Sequence, residues 1–179
     1  MKELNIGTWR EYNLCGGDGL FECMGSKTTP KIELEQRGSG VYPYVTTQAT
    51  DNGIAGFYDF YTEFGNVLTI DSAVLGTCFY QKDKFSASDH VEILKPKFEM
   101  TKYIALFLVT ILNKNAQILG YAYNLKRSQE ALKQETIMLP SKINKNGDFE
   151  PDWKYMEEYM KEITSKSEKS IQVLKTLVC

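Results

Sequence analysis

The last thirty residues restrict the fold more than any other stretch. After Pro151-Asp152, the positions Trp153, Met156, Met160, Ile163, Ser167, Ser170, Leu174 and Leu177 recur at alternating intervals of three and four. That spacing places them on one seam of an α-helix, in the a and d positions of a heptad. The two serines weaken the middle of the seam. Asp152 is the expected N-cap, because its carboxylate can accept from the free N–H groups of the first turn, and the first two turns are acidic. A helix with such a seam packs along another helix.

The chain ahead of it follows a different period. Val41-Tyr42-Pro43-Tyr44-Val45-Thr46-Thr47 reads as a strand, rich in β-branched and aromatic residues, with Pro43 at an edge or a strand start. Phe57-Tyr58-Asp59-Phe60-Tyr61, Asn66-Val67-Leu68-Thr69-Ile70, Gly76-Thr77-Cys78-Phe79-Tyr80 and His90-Val91-Glu92-Ile93-Leu94 are four further strands, bounded by Gly, Asn, Asp or Pro. The loop at 48–56 centres on Asp51-Asn52-Gly53, a sequence suited to positive φ. The glycine-rich first forty residues imply turns joining short strands or a short helix. From Thr101, a plausible N-cap, the apolar residues Tyr103, Ile104, Phe107, Leu108, Ile111 and Leu112 cover one broad helical face, with a stop expected near Asn113 or Asn115. Tyr121-Ala122-Tyr123 reads as a short strand or loop, residues 128–135 as a short helix, 136–140 as a final strand, and 142–150 as a polar linker.

The 179 residues suit one domain, or one domain with an extension, and 42% hydrophobic content is enough for a core. Charge is nearly balanced, at 21 Lys+Arg against 23 Asp+Glu, so no global positive field holds nucleic acid unspecifically. DNA binding would need a local basic face. Of the cysteines Cys15, Cys23, Cys78 and Cys179, no pair is spaced Cys-x-x-Cys, and His90 is the sole histidine. Zinc is therefore not expected, and free, mostly buried thiols are. The N-terminus lacks the apolar run of a signal peptide, and the longest apolar stretch is half a membrane span. A soluble, cytoplasmic protein without membrane attachment is the expectation.

No catalytic constellation emerges. His90 beside Asp89 has no serine or cysteine in an elbow motif. Asp152, Glu157, Glu158 and Lys161 superficially resemble a nuclease set, but they fall on a helix and read as its solvated face. There is no P-loop, Gly16-Gly17-Asp18-Gly19 lacks the strand-then-helix context of a dinucleotide loop, and Tyr42-Pro43-Tyr44 lacks the flanks of an amino-methyltransferase motif. No catalytic residue, metal or cofactor is assigned.

At Tyr42 the pattern becomes specific. The run Tyr42-Pro43-Tyr44-Val45-Thr46-Thr47, then Asn52-Gly53-Ile54, then Gly65-Asn66-Val67-Leu68-Thr69-Ile70 resembles the target recognition domain of restriction-modification specificity subunits. Thr77-Cys78-Phe79-Tyr80-Gln81, Val91-Glu92-Ile93-Leu94-Lys95-Pro96 and Tyr103-Ile104-Ala105-Leu106-Phe107-Leu108 continue it in order. Ile137-Met138-Leu139-Pro140, Gly147 and Pro151-Asp152-Trp153-Lys154-Tyr155-Met156-Glu157 resemble the domain's end and the start of its spacer helix. The resemblance runs from about Trp9 to Ile163, and its ending is most like type IIB and related type I systems.

The resemblance implies an α+β fold: a curved, mostly antiparallel sheet with flanking helices and a long C-terminal helix. Residues 1–150 would form the recognition domain and 151–179 a spacer or dimerisation helix. It implies a non-enzymatic module that reads half of a split double-stranded DNA target, with methyltransferase and restriction subunits as partners. Such subunits usually carry two such domains, so one domain and one helix imply a half subunit or an excised half. The seam residues Trp153, Met156, Met160, Ile163, Leu174 and Leu177 would then pair with a second copy or with the other half. A homodimer would read an interrupted palindrome. A recognition domain of a fused enzyme, and a protein-interaction module using the helix, are the alternatives; a start at Met1 without a trailing linker favours a free-standing chain over the former.

Base and phosphate chemistry nominates the DNA contacts. They are Thr47, Gln48, Thr50 and Asn52 in the polar loop, Gln81, Lys82 and Lys84 after the central strand, Lys126 and Arg127, and Lys27 and Arg37 in early loops. Each also reads as ordinary surface polarity, Asn52-Gly53 as turn chemistry, and Tyr80 as core.

Overall fold

The structure is a computed structural model that describes residues 4–178, with the side chains of 177 and 178 outside the described set. Among the described residues, ten strands and four α-helices form an α+β arrangement. The first sheet holds β1 (Trp9–Asn13), β9 (Thr136–Ile143) and β10 (Phe149–Pro151), in the order β1-β9-β10. The second holds β2 (Phe21–Gly25), β5 (Val67–Asp71), β6 (Cys78–Gln81) and β8 (Val91–Pro96), in the order β2-β8-β5-β6. The third holds β3 (Ser39–Val45), β4 (Ile54–Tyr58) and β7 (Ser86–Ala87), in the order β4-β3-β7. The helices are α1 (Lys31–Arg37), α2 (Lys102–Leu119), α3 (Gln129–Gln134) and α4 (Trp153–Val178). Every strand pairing is antiparallel except β3 with β7. The expected class, mostly antiparallel pairing and long C-terminal helix are present, with the strands divided among three sheets.

The core forms where α2 lies over the second sheet. Thr101 caps the helix, its hydroxyl accepting from the Ile104 N–H. Ile104, Ala105, Phe107, Leu108, Leu112 and Ala116 are buried along one face, the stripe that the apolar spacing dictates. A single cluster joins this face to Leu68 and Ile70 of β5, Cys78 of β6, Leu94 of β8, Leu132 of α3, Ile137 and Leu139 of β9, and Met156 of α4. A smaller cluster, with Val45, Val67, Phe85 and Ile93, seats the third sheet.

Helix α2 does not stop at Asn113 or Asn115; it runs to Leu119 and closes on Gly120 in the left-handed region. Both asparagines find partners outside the helix, so they do not compete with its backbone bonds. Asn113 exchanges hydrogen bonds with the backbone of Cys78, at 2.7 and 3.0 Å. Asn115 donates to the Glu135 carboxylate and to the Thr136 carbonyl. Similarly, 142–150 is a hairpin and no linker: the end of β9 pairs with the start of β10 around a turn at 144–148, where the Asn144 side chain accepts the N–H groups of Asn146 and Asp148.

The expectation of free thiols holds for Cys78, which is buried, and burial pushes its thiol up to about 12. It fails for Cys15 and Cys23. The turn joining β1 to β2 brings their Cα atoms to 5.9 Å, and they are disulfide-bonded. Cys179 lies outside the described residues.

Glu92 on β8 is a buried carboxylate whose Oε2 meets no hydrogen-bond partner among the described residues. Burial raises its carboxyl above the usual glutamate range, against the opposing pull of Gln129, Ser72 and His90. The folded state therefore binds this proton more tightly than the unfolded chain does. The resulting destabilisation is absent below the ordinary glutamate range and grows as pH rises through the folded-state value. Glu92→Gln should raise the unfolding free energy at neutral pH and change it little in acid. Urea titrations across pH check this, and an equal effect at every pH would contradict it.

Candidate nucleic-acid interface

The side chains of two nominated cations, Arg37 and Lys84, and the backbone of a third, Lys27, meet one strap, the irregular stretch 59–64 that follows β4. Strand β4 starts and ends earlier than the aromatic run suggests, so Phe60 and Tyr61 leave the ladder and become ring contacts. Arg37, in the last turn of α1, lays its guanidinium 3.7 Å from the Phe60 ring and pairs with Glu33 at 2.8 Å. Lys84 donates to the Tyr61 hydroxyl at 2.9 Å and lies 5.7 Å from the Phe64 ring. The Tyr61 bond raises the Lys84 pKa above its usual value, so the ammonium stays charged. Lys27 is fixed through its backbone, its N–H donating to the Glu63 carboxylate and its carbonyl accepting from Thr62. All three side chains are exposed.

The polar loop after β3 is tied to the end of β6, just ahead of the connection that carries Lys82 and Lys84. Asp51, Asn52 and Gly53 all take positive φ, as the sequence demands. Asn52 donates to the Tyr80 carbonyl at 3.1 Å and to the Gln81 side chain at 3.3 Å. Gln48 folds back onto the Ile54 carbonyl at 2.8 Å, and the Thr50 hydroxyl donates to Asp51. Thr47 is half-buried beside them. Gln81 is only 2% exposed, and its amide is committed to the Asn52 carbonyl and the Thr69 hydroxyl. It is a support for the loop and cannot reach a base as it stands. Lys82 and Lys84, which follow it, are exposed.

The pair Lys126 and Arg127 stands elsewhere. Arg127 packs against Gly76, at the end of the β5–β6 hairpin away from Gln81. Lys126 is exposed there. Arg127 is 0% exposed and is corrected from a DNA contact to a structural ion pair. Its Nε donates to Glu135 at 2.9 Å, its Nη2 to the other carboxylate oxygen, and its Nη1 to the Gly76 carbonyl at 2.7 Å. Asn115 and Tyr121 also donate to Glu135, which completes the cage.

The C-terminal seam divides in two. Asp152 caps α4 by accepting from the Tyr155 N–H at 3.0 Å. Trp153 stacks on Phe98 at 3.9 Å between centroids, and Met156 is 0% exposed inside the main core. Met156 is covered by the chain's own domain and is corrected from a partner contact, while Trp153 is half-buried against the same core. Met160 and Ile163 line an apolar groove of about 290 Å³ with Trp9, Phe107 and Ile111. From Ser165 to Thr176 every residue is exposed, with Leu174 at 59%. Leu177 lies outside the described side chains. The acidic residues once compared with a nuclease set serve the helix, Glu157 pairing with Lys161 at 2.8 Å and Asp152 capping.

The family model described as Type I restriction modification DNA specificity domain matches residues 9–175. The chain belongs to that family. It is 30% identical over 159 residues to the specificity subunit S.BcgI of a type II restriction enzyme from Heyndrickxia coagulans, covering 86% of this chain and 44% of that one. The type I restriction-modification S subunit of M. genitalium shares its fold, with a TM-score of 0.66 and 15% identity over 97% of this chain and 43% of that one. The HsdS subunit of Thermoanaerobacter tengcongensis does so with a TM-score of 0.58 and 13% identity, over 92% and 39%. The specificity domain therefore spans less than half the length of these relatives. Among its described residues no helix is long and apolar enough to cross a membrane, and no group of His, Cys, Asp and Glu is placed to hold a metal ion.

Sequence reasoning nominated the strap's cations but missed its rings, Tyr42, Tyr61 and Phe64. Tyr42 and Tyr61 lie 4.7 Å apart, and Phe64 meets Tyr61 edge-on at 6.2 Å. Strand periodicity does not reveal which aromatics of an irregular strap face outward.

Removing one partner of a buried ion pair strands the other charge. Arg127→Met should lower the unfolding free energy by about 3–5 kcal/mol, and Arg127→Met with Glu135→Leu should recover more than half of that loss. Urea unfolding measures both. In DNA-binding titrations Arg127→Met should leave the salt slope unchanged, whereas a true phosphate contact would lower it by about one.

Proposed function

We propose that the chain is a DNA-sequence recognition module of a restriction-modification specificity subunit, a half subunit or half of a longer one. It reads one half of a split double-stranded target in the cytoplasm. It carries no catalysis of its own, and the methylation and cleavage chemistry belongs to partner subunits. The observation that carries this reading is the meeting of the Arg37 and Lys84 side chains and the Lys27 backbone with one strap, beside a polar loop bearing Thr47, Gln48, Thr50 and Asn52. The cations supply phosphate contacts, and the loop supplies the Thr47 and Thr50 hydroxyls and the side-chain carbonyl oxygens of Gln48 and Asn52 for base edges. Lys82 extends the basic surface, and Lys126 contacts phosphate only if the DNA reaches the far end of β6. The name of S.BcgI, a specificity subunit, supports the same role.

Residues 1–150 act as the reading body, and 151–179 as a spacer whose free end pairs with a second copy or with the helix of the other half. Ile171 and Leu174 are exposed on that end, a solvent-facing apolar pair that a helix partner would cover. Balanced net charge makes solitary binding weak and salt-sensitive, and methyltransferase subunits that also hold DNA would strengthen it.

Selection from a random duplex pool, with and without methylation subunits of the same genome, tests the reading. An interrupted palindrome is expected if two copies pair, and a single half-site if the chain works as half of a longer subunit. No enrichment in either setting would overturn recognition. Ile171→Asp with Leu174→Asp should halve the mass seen by light scattering and turn a palindromic selection into a half-site one. An unchanged mass of a dimer would remove the helix end from the interface.

A further inference from the structure

Phe64 sits at the tip of a turn whose backbone is tied on both sides. The residue is 68% exposed. On one side, Glu63 and Phe85 exchange backbone hydrogen bonds at 2.9 and 3.1 Å, and Thr62 adds a third to the Phe85 carbonyl. On the other, Asn66 takes a positive φ of 59° and donates its N–H to the Lys82 carbonyl at 3.1 Å. The Asn66 side chain is also tied, donating to the Met100 carbonyl at 3.2 Å and accepting from the Tyr80 hydroxyl at 3.0 Å. Between these anchors Gly65 lies so close to the Lys82 carbonyl that no Cβ fits there. Tyr61 braces one edge of the ring.

A large apolar ring left in water forgoes the free energy of burial, which contact with an apolar surface would recover. Here the turn is fixed from both sides and the ring stands out beside Lys84, with Lys82 on the same connection. Asp83 is the opposing charge on that connection, so two cations outnumber one anion there. A rigid aromatic side chain flanked by lysines fits one ligand chemistry well, a base step between two phosphates.

We propose that Phe64 is a wedge. On binding, it contacts the base stack at one step of the target and partly unstacks it, while Lys84 and Lys82 contact the flanking phosphates. This rests on the DNA-recognition reading and adds to it a specificity term from how easily that step deforms, beyond direct base contacts.

The probe is the duplex recovered by selection, with 2-aminopurine placed at successive positions, titrated with the full chain and its methylation subunits. Binding should raise 2-aminopurine fluorescence at one step. Phe64→Ala should bind about five- to a hundred-fold more weakly and abolish that rise. Phe64→Leu, which keeps an apolar wedge, should retain most of it. Lys84→Ala should lower the salt slope by about one and leave the fluorescence rise in place once the duplex is saturated. Because Phe64 is exposed, its variants should unfold at wild-type urea concentrations, which separates binding from folding. Selective binding without a fluorescence rise at any position would overturn the wedge and leave recognition standing. So would Phe64→Ala binding as tightly as wild type. Failure of the selection itself would overturn both.

Discussion

The burial of α2 is the constraint on which the rest of the structure depends. Its apolar face covers the four-stranded sheet on one side, and its flank receives the first turns of α4. Phe107 reaches the first sheet and α4, meeting Trp9 of β1 at 6.0 Å and Tyr159 of α4 at 6.1 Å. Each large side chain buried there contributes about 1.5–3 kcal/mol. The root of α4 is consequently part of the same core as the sheet that carries β6. The helix is continuous with the body mechanically, even where the sequence changes period at Pro151.

Polar groups organise what the apolar core leaves over. Arg127 and Glu135 join the β5–β6 turn to the start of β9 inside the protein. Gln81, Thr69 and Asn52 do the same for the loop after β3 at the opposite end of β6. A half-satisfied buried network costs more than an apolar patch, so these loops are held in one arrangement. That is how a chain with a slight excess of acidic residues can still present cations in order. Arg37, Lys27 and Lys84 are placed one by one, each against the strap.

Much of this was legible in the sequence because it rests on local rules. Thr101 and Asp152 cap helices, and each was readable from a polar residue ahead of an apolar stripe. Asn52-Gly53 turned as its chemistry requires. The misreadings came from long-range partners. Asn113 and Asn115 look like helix breakers until Cys78 and Glu135 occupy their side chains. Arg127 looks like a surface cation until Glu135, eight residues on, closes over it. The seam after Trp153 looks uniform, yet α2 claims its first half and leaves the second in solvent. Of the interface, the charged residues were visible and the rings were not, because outward orientation is decided by the strap's departure from the ladder.

The turn at 63–66 also bears on how such a chain can change over generations. Gly65 and Asn66 are fixed by sterics and by backbone conformation, and Glu63 by its ties to Phe85 and Lys27. Between them, position 64 touches the fold at little more than one ring edge. Substitution there should cost the fold little, whereas a side chain at Gly65 has no room beside the Lys82 carbonyl. The protein thus separates what the tip presents from the architecture that presents it.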